Sequence, residues 1–171
     1  MIVSKLKQRL FNILVVMAIA IMWVLLDAHV AIAQESAVNY TYSEIRQQDF
    51  SHRNLAGGVF AAADARGSNF EGSDVSNSIL TKSIFISTNL KDSNFTSSLM
   101  DRVSFENSDL TNAIFKDAVA TSSVFEGATI TGADFTDAIL DRYQIYLMCQ
   151  RAEGTNPVTG VETRYSLGCR D

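Results

Sequence analysis

The chain has 171 residues, 47% of them hydrophobic, with 14 basic and 19 acidic side chains and a formal net charge of −5. An acidic balance disfavours nucleic acid as a partner, because phosphates call for a basic face. Two cysteines with no further Cys or nearby His cannot complete a tetrahedral metal site, and no Walker or dinucleotide glycine pattern is present.

Residues 1–33 read as an export signal. Lys5, Lys7 and Arg9 give a positive start, and an apolar run from Leu10 to Leu26 follows, broken only by Asn12. Ala31-Ile32-Ala33 before Gln34 is a small-x-small pattern, which predicts cleavage between Ala33 and Gln34. The run is long for a signal, so the alternative is an uncleaved anchor, with membrane contact through the presequence alone. No paired arginines suggest the twin-arginine route, and Gln34 in place of Cys argues against a lipoprotein. Cleavage removes three basic residues and one acidic (Asp27), leaving a mature charge of −7.

Residues 34–47 follow as an N-terminal cap. Val38, Tyr40 and Tyr42 alternate, which predicts a short strand laid over the open end of the next unit.

From residue 48 to 142 one period governs the chain. Every fifth residue from Phe50 through Leu55, Phe60 and Ala65 to Phe135 and Leu140 is apolar, nineteen in succession. Two residues before each centre runs a small-residue series, Gly58, Ala63, Ser68 and onward to Ala138, broken only at Gln48, Arg53 and Val103. A period of five fits neither a helix nor a strand. It fits a coil with four short sides, each turning one large and one small side chain inward. Coils of 20 residues stacked at about 4.8 Å would make nearly five turns, a rod roughly 23 Å long. The phenylalanines change walls once. Phe50 and Phe70 face Phe60, whereas later Phe85, Phe105 and Phe125 face Phe95, Phe115 and Phe135.

Segments such as Ser73-Asp74-Val75, Ser108-Asp109-Leu110 and Ala133-Asp134-Phe135 resemble the pentapeptide-repeat family, and the resemblance spans residues 48–142. It implies an all-β fold, a right-handed quadrilateral parallel β-helix. It implies no particular activity, since members of one fold serve unrelated roles.

Beyond the repeats, residues 143–171 read as a two-helix cap. Asp141 is placed to cap a first helix with Ile145, Leu147 and Met148 on one side and Gly154 ending it. Asn156-Pro157 makes a turn, Thr159-Gly160-Val161-Glu162 reads as a capping box, and Gly168 closes a second helix. Tyr143, Tyr146, Leu147 and Leu167 are expected to cover the last coil. Cys149 and Cys169 are the only cysteines, and in an exported protein they are expected to pair. The stretch from Gly154 to Gly160, the run Ser166-Leu167-Gly168-Cys169 and the segment Asn39-Tyr40-Thr41-Tyr42-Ser43-Glu44 resemble exported pentapeptide-repeat proteins of the thylakoid lumen of cyanobacteria and chloroplasts. The presequence lacks a Ser/Arg-rich transit region. The resemblance therefore implies the thylakoid lumen or periplasm of a cyanobacterium.

Chemistry is sparse. His52 falls at an outward corner with no third orienting group for a nucleophile–base pair. Asp49, Asp64, Asp74, Asp109 and Asp134 precede centres and face solvent, where burial does not raise a carboxyl pKa. Neither an enzyme nor a cofactor is expected. One feature exceeds the repeat's needs: the outward residue before the centre is aliphatic on one wall through five coils, at Val59, Ile79, Leu99, Val119 and Ile139. The opposite wall carries Asp49, Asn69, Asn89, Asp109 and Thr129 there, and Ile84, Ile86 and Val124 broaden the ladder on a neighbouring wall. A continuous apolar stripe of this kind is expected as a contact surface; the alternatives are that aliphatic residues simply suit a stacked strand surface or that a terminal segment covers them. The expected function is a non-catalytic exported module binding a protein partner, or a second copy, through the solenoid surface. The alternatives are a lumenal protein switched by the Cys149–Cys169 bond and, as in some family members, an acidic DNA mimic that binds topoisomerase.

Overall fold

The structure, a computed structural model, describes residues 12–23 and 37–170. The chain divides into two units, Met1–Ser36 and Ala37–Asp171. In the first, described residues 12–23 are helical (α1), and no helix among the described residues is long and apolar enough to cross a membrane. The predicted cleavage site, Ala33 and Gln34, lies outside the described residues.

In the second unit, parallel bridges join residues twenty apart. One ladder runs Asn39–Val59–Ile79–Leu99–Val119, and three others start at Glu44, Asp49 and Asn54. Two steps qualify as strands, β1 (Val119–Ala120) and β2 (Ile139–Leu140), with Val119 opposite Ile139. The architecture is therefore a four-sided parallel β-helix with 20 residues per coil. We number its walls by their buried centres: wall one starts at Tyr40, wall two at Ile45, wall three at Phe50 and wall four at Leu55.

Each corner is a tight turn, closed for example by the Ser43 N–H donating to the Tyr40 carbonyl at 3.0 Å. The second residue after every centre, from Tyr42 to Asp137, has positive φ, and fifteen of these twenty residues are not glycine. Left-handed backbone costs an L-residue about 1–2 kcal/mol. Bonds to the neighbouring coil offset it, as where the His52 N–H donates to the Glu71 carbonyl at 2.8 Å.

The centres form one continuous core, with Phe60 through Phe105 fully buried. Phe95, Phe115 and Phe135 stack at 5.0 Å, and Phe105 and Phe125 at 5.2 Å, while rings on facing walls meet edge to face near 6 Å. Phe70 meets Phe85 edge-on at 5.3 Å, which is where the stack changes walls. The small-residue series has a second role beside saving space. Buried Ser68, Ser78, Thr88 and Ser98 donate to the carbonyls of Ile45, Leu55, Ala65 and Val75 in the coil before.

At the N-terminal end the structure differs from the expectation. The ladder begins at Asn39 rather than after residue 48. Tyr40 stacks on Phe60 at 5.4 Å and Ile45 is buried, so both are centres of the repeat, while Tyr42 is an exposed corner. The segment is the first coil itself, not a strand laid across it. Gln48 and Arg53 interrupt the small series because they are exposed in this end coil. The Arg53 guanidinium sits 5.5 Å from the Phe50 ring centre.

The C-terminal lid holds α2 (Arg142–Cys149) and α3 (Thr163–Ser166). Its side chains replace the missing next coil. In the rod, an N–H donates to a carbonyl 19 residues on. After the last coil, Asp141 Oδ2 accepts from the Ser122 N–H at 2.9 Å and Gln144 Oε1 from the Phe125 N–H at 3.2 Å, each 19 residues ahead. Ser166 Oγ serves Phe135, and the Glu153 carbonyl serves Gly132. Arg151 covers the Phe125 and Ala128 carbonyls, and burial lowers its pKa. An open sheet edge is thereby closed.

This use of side chains corrects four expectations. Asp141 stands at the N-cap position of α2, but its carboxylate is spent on Ser122 and makes no cap bond. α2 ends at Cys149, and Gly154 instead lies against the last coil, where a Cβ would come within 2.9 Å of the Gly132 nitrogen. No capping box forms, because Asn156 takes the Thr159 N–H and Thr155 pairs with Glu162 as a short antiparallel bridge. Met148, Ala152 and Leu167 cover the core, whereas Tyr143 and Tyr146 are exposed.

Candidate interaction surface

Asp or Asn before a centre has a local task. Its side chain accepts the N–H of the first turn residue, as Asp74 does from Ser76 at 3.0 Å, Asn94 from Thr96 at 3.0 Å and Asp109 from Thr111 at 2.9 Å. Ten such bonds line the rod, the first at Asn39. Such Asx turns explain why the repeat favours these residues. On wall one the five positions after Asn39 are Val59, Ile79, Leu99, Val119 and Ile139. An aliphatic side chain offers the turn N–H no acceptor, so at the four corners after Val59, Ile79, Leu99 and Val119 this wall forgoes a bond, each worth about 1 kcal/mol net.

The structure places all five residues in one bridged ladder. Ile79 is 41% exposed, Leu99 43% and Ile139 55%, while Val59 and Val119 are half-buried. The side chains form a stripe along the rod, not part of its core. Its borders are charged. One corner carries Lys82 and Arg102, and the other Asp117 and Asp137. Asp101, beside Leu99, accepts from Thr121 at 2.9 Å and from Arg102 at 2.7 Å, and these bonds hold its carboxyl below the usual range.

The other singled-out residues play structural parts. His52 occupies a left-handed corner. Among the described residues no cluster of His, Cys, Asp and Glu comes together as a metal site. Cys149 and Cys169 lie at disulfide distance, with Sγ–Sγ 2.00 Å and Cα–Cα 5.6 Å, and join the end of α2 to the residues after α3. Arg164 of α3 donates to the Cys149 carbonyl at 2.9 Å.

Comparison with known proteins agrees with this geometry. The family model "Pentapeptide repeats" matches in 8 copies over residues 49–82, 88–127 and 98–137. The chain is similar to a pentapeptide repeat protein from the Arabidopsis thaliana thylakoid lumen, at 28% identity and TM-score 0.62, over 74% of this chain and 92% of that one. It also matches HetL, a pentapeptide repeat protein involved in heterocyst differentiation regulation from the cyanobacterium Nostoc sp. strain PCC 7120, at 12% identity and TM-score 0.31, over 61% and 60% of the two chains. A plasmid-mediated fluoroquinolone resistance protein, QnrB1, matches at 18% identity and TM-score 0.31, over 58% and 59%. No match is found among curated proteins. With twenty-residue coils, a left-handed corner at every fifth residue and the matching repeat model, the chain belongs to the pentapeptide-repeat family and folds as its right-handed β-helix.

Proposed function

We propose that this protein is a non-catalytic interaction module of an exported compartment, the thylakoid lumen or periplasm, and that wall one binds a protein partner. The observation that carries the reading is the aliphatic ladder from Val59 to Ile139, whose members up to Val119 stand at positions where Asp or Asn would make a turn bond. A stripe that forgoes local bonds and leaves Ile79, Leu99 and Ile139 in water has burial against another surface as its return. The rod's rigidity limits the entropy lost on docking. Two observations support export: the presequence, and the likeness to a thylakoid-lumen protein at 28% identity.

Affinity purification from the native compartment tests the reading, comparing wild type with an Ile79→Asp, Leu99→Asp variant. A protein captured specifically by wild type should be lost from the variant, which keeps its β signal. The recovered chain should begin at Gln34. Equal capture by both would remove wall one as the binding surface, and an intact Met1 would favour the anchor.

A further inference from the structure

Wall two carries a separate surface. The residues directly after its buried centres are, in chain order, Arg46, Arg66, Ile86, Glu106 and Glu126. The residues before those centres, Glu44, Asp64, Ile84, Ser104 and Val124, are bridged in register, so both columns climb one coil per step, about 4.8 Å. The columns share one face. Asp64 bonds Arg46 Nε at 2.9 Å and Arg66 Nη2 at 2.6 Å, and the Ser104 hydroxyl reaches Glu106 at 3.1 Å. The first column thus reads cation, cation, aliphatic, anion, anion, antisymmetric about Ile86. Arg46, Arg66 and Ile86 line a shallow cleft together with Gln47, Gly67 and Ser87.

We propose that wall two is the contact face of an antiparallel homodimer whose two-fold axis passes through Ile86. A two-fold contact is self-complementary, so whatever one residue meets must meet it in return. Turning the wall end over end sets Arg46 against Glu126 of the second copy, Arg66 against Glu106, and Ile86 against itself. In the second column Glu44 then faces Val124, Asp64 faces Ser104, and Ile84 faces itself. No two carboxylates are opposed in either column. The adjoining corner sets Gln47 against Gly127 and Gly67 against Asn107, uncharged pairs with two glycines that allow close approach.

A side-by-side parallel pairing is poorer. It would set Arg46 against Glu44 and Arg66 against Asp64, carboxylates that already pair with arginines of their own chain, and leave Glu106 and Glu126 opposite Ser104 and Val124. The antiparallel pairing makes four new ion pairs and breaks none. The face is five coils long, about 24 Å, and one wall wide, well under the roughly 800 Å² per partner of a standard stable interface. At its solvated rim the two Lys82 side chains would approach each other. The dimer is therefore weak, reversible and sensitive to salt.

The test is sedimentation of the chain as recovered from expressing cells, in non-ionic detergent, as wild type, Arg66→Glu, Glu106→Arg and the combination. Wild type should dimerise reversibly, and each single reversal should weaken association by about thirtyfold. The combination should restore it, because each reversed residue again meets its opposite. Glu106→Arg leaves the Asp64 cluster intact, so its loss cannot be laid to misfolding there. Absence of dimer at sub-millimolar concentration, or reversal without rescue, would overturn the proposal. Loss of the dimer on Leu99→Asp would also overturn it and assign self-association to wall one, whereas failure here leaves the partner reading of wall one intact.

Discussion

Replacing Phe95 with alanine is expected to lower the unfolding free energy by about 3–5 kcal/mol. Phe95 is fully buried, stacks on Phe115 at 5.0 Å and meets Phe105 edge-on at 6.1 Å. Its cavity cannot close by local collapse, because the walls around it are fixed by ladder bonds above and below. The Phe95 N–H donates to the Ile114 carbonyl at 2.7 Å, and the Asn94 N–H to the Ser73 carbonyl at 2.9 Å. Lys91→Ala, four residues earlier at an outward corner, is expected to change stability by no more than about 0.5 kcal/mol. Denaturant unfolding of both variants checks the inward and outward assignment. Similar losses at the two positions would refute it.

The second large effect is expected at Asn156, which is fully buried. Its Nδ2 donates to the carbonyls of Asn112 and Gly132, both at 2.9 Å, and its Oδ1 accepts from the N–H groups of Val158 and Thr159, both at 3.0 Å. One side chain thus pins the loop after α2 to the last two coils. Asn156→Leu keeps the branched shape and removes all four bonds, so roughly 3 kcal/mol or more should be lost, since a buried group left unpaired costs about 1–3 kcal/mol. The loss should be local first. Hydrogen exchange at Gly132 and Phe135, whose N–H groups the lid serves, should accelerate before that of Phe95. Uniform exchange across all coils, or unchanged stability, would show that the lid is held by other contacts.

The rod was legible because side-chain volume alone carries its period: only a large and a small residue fit together on the axis, so Phe50 to Leu140 declares the coil. The ends were less so. Tyr40 and Ile45 continue the same count, but exposed Gln48 and Arg53 break the small series beside them, since the end coil does not confine those positions. The lid was the least legible. Thr159 to Glu162 has the letters of a capping box, and only the fold reveals that Asn156 has already taken the turn. Likewise Asp141 and Gln144 act as the next coil's carbonyls, a role defined by a 19-residue offset that exists only once the coil is known. The aliphatic wall could be read from register alone. The reason it is costly, four missing Asx bonds, needed the hydrogen bonds of the other walls.

The proposed binding role requires wall one to be aliphatic for contact rather than for folding. Denaturant unfolding of Leu99→Asn tests that most directly. Asparagine there can accept the Asp101 N–H, as Asn94 accepts that of Thr96, and this gain should offset the loss of a Leu side chain that is already 43% exposed. The unfolding free energy should stay within about 1 kcal/mol of wild type. A loss of about 3 kcal/mol or more, the cost of emptying a core position, would contradict a contact role for wall one and make the ladder part of the fold.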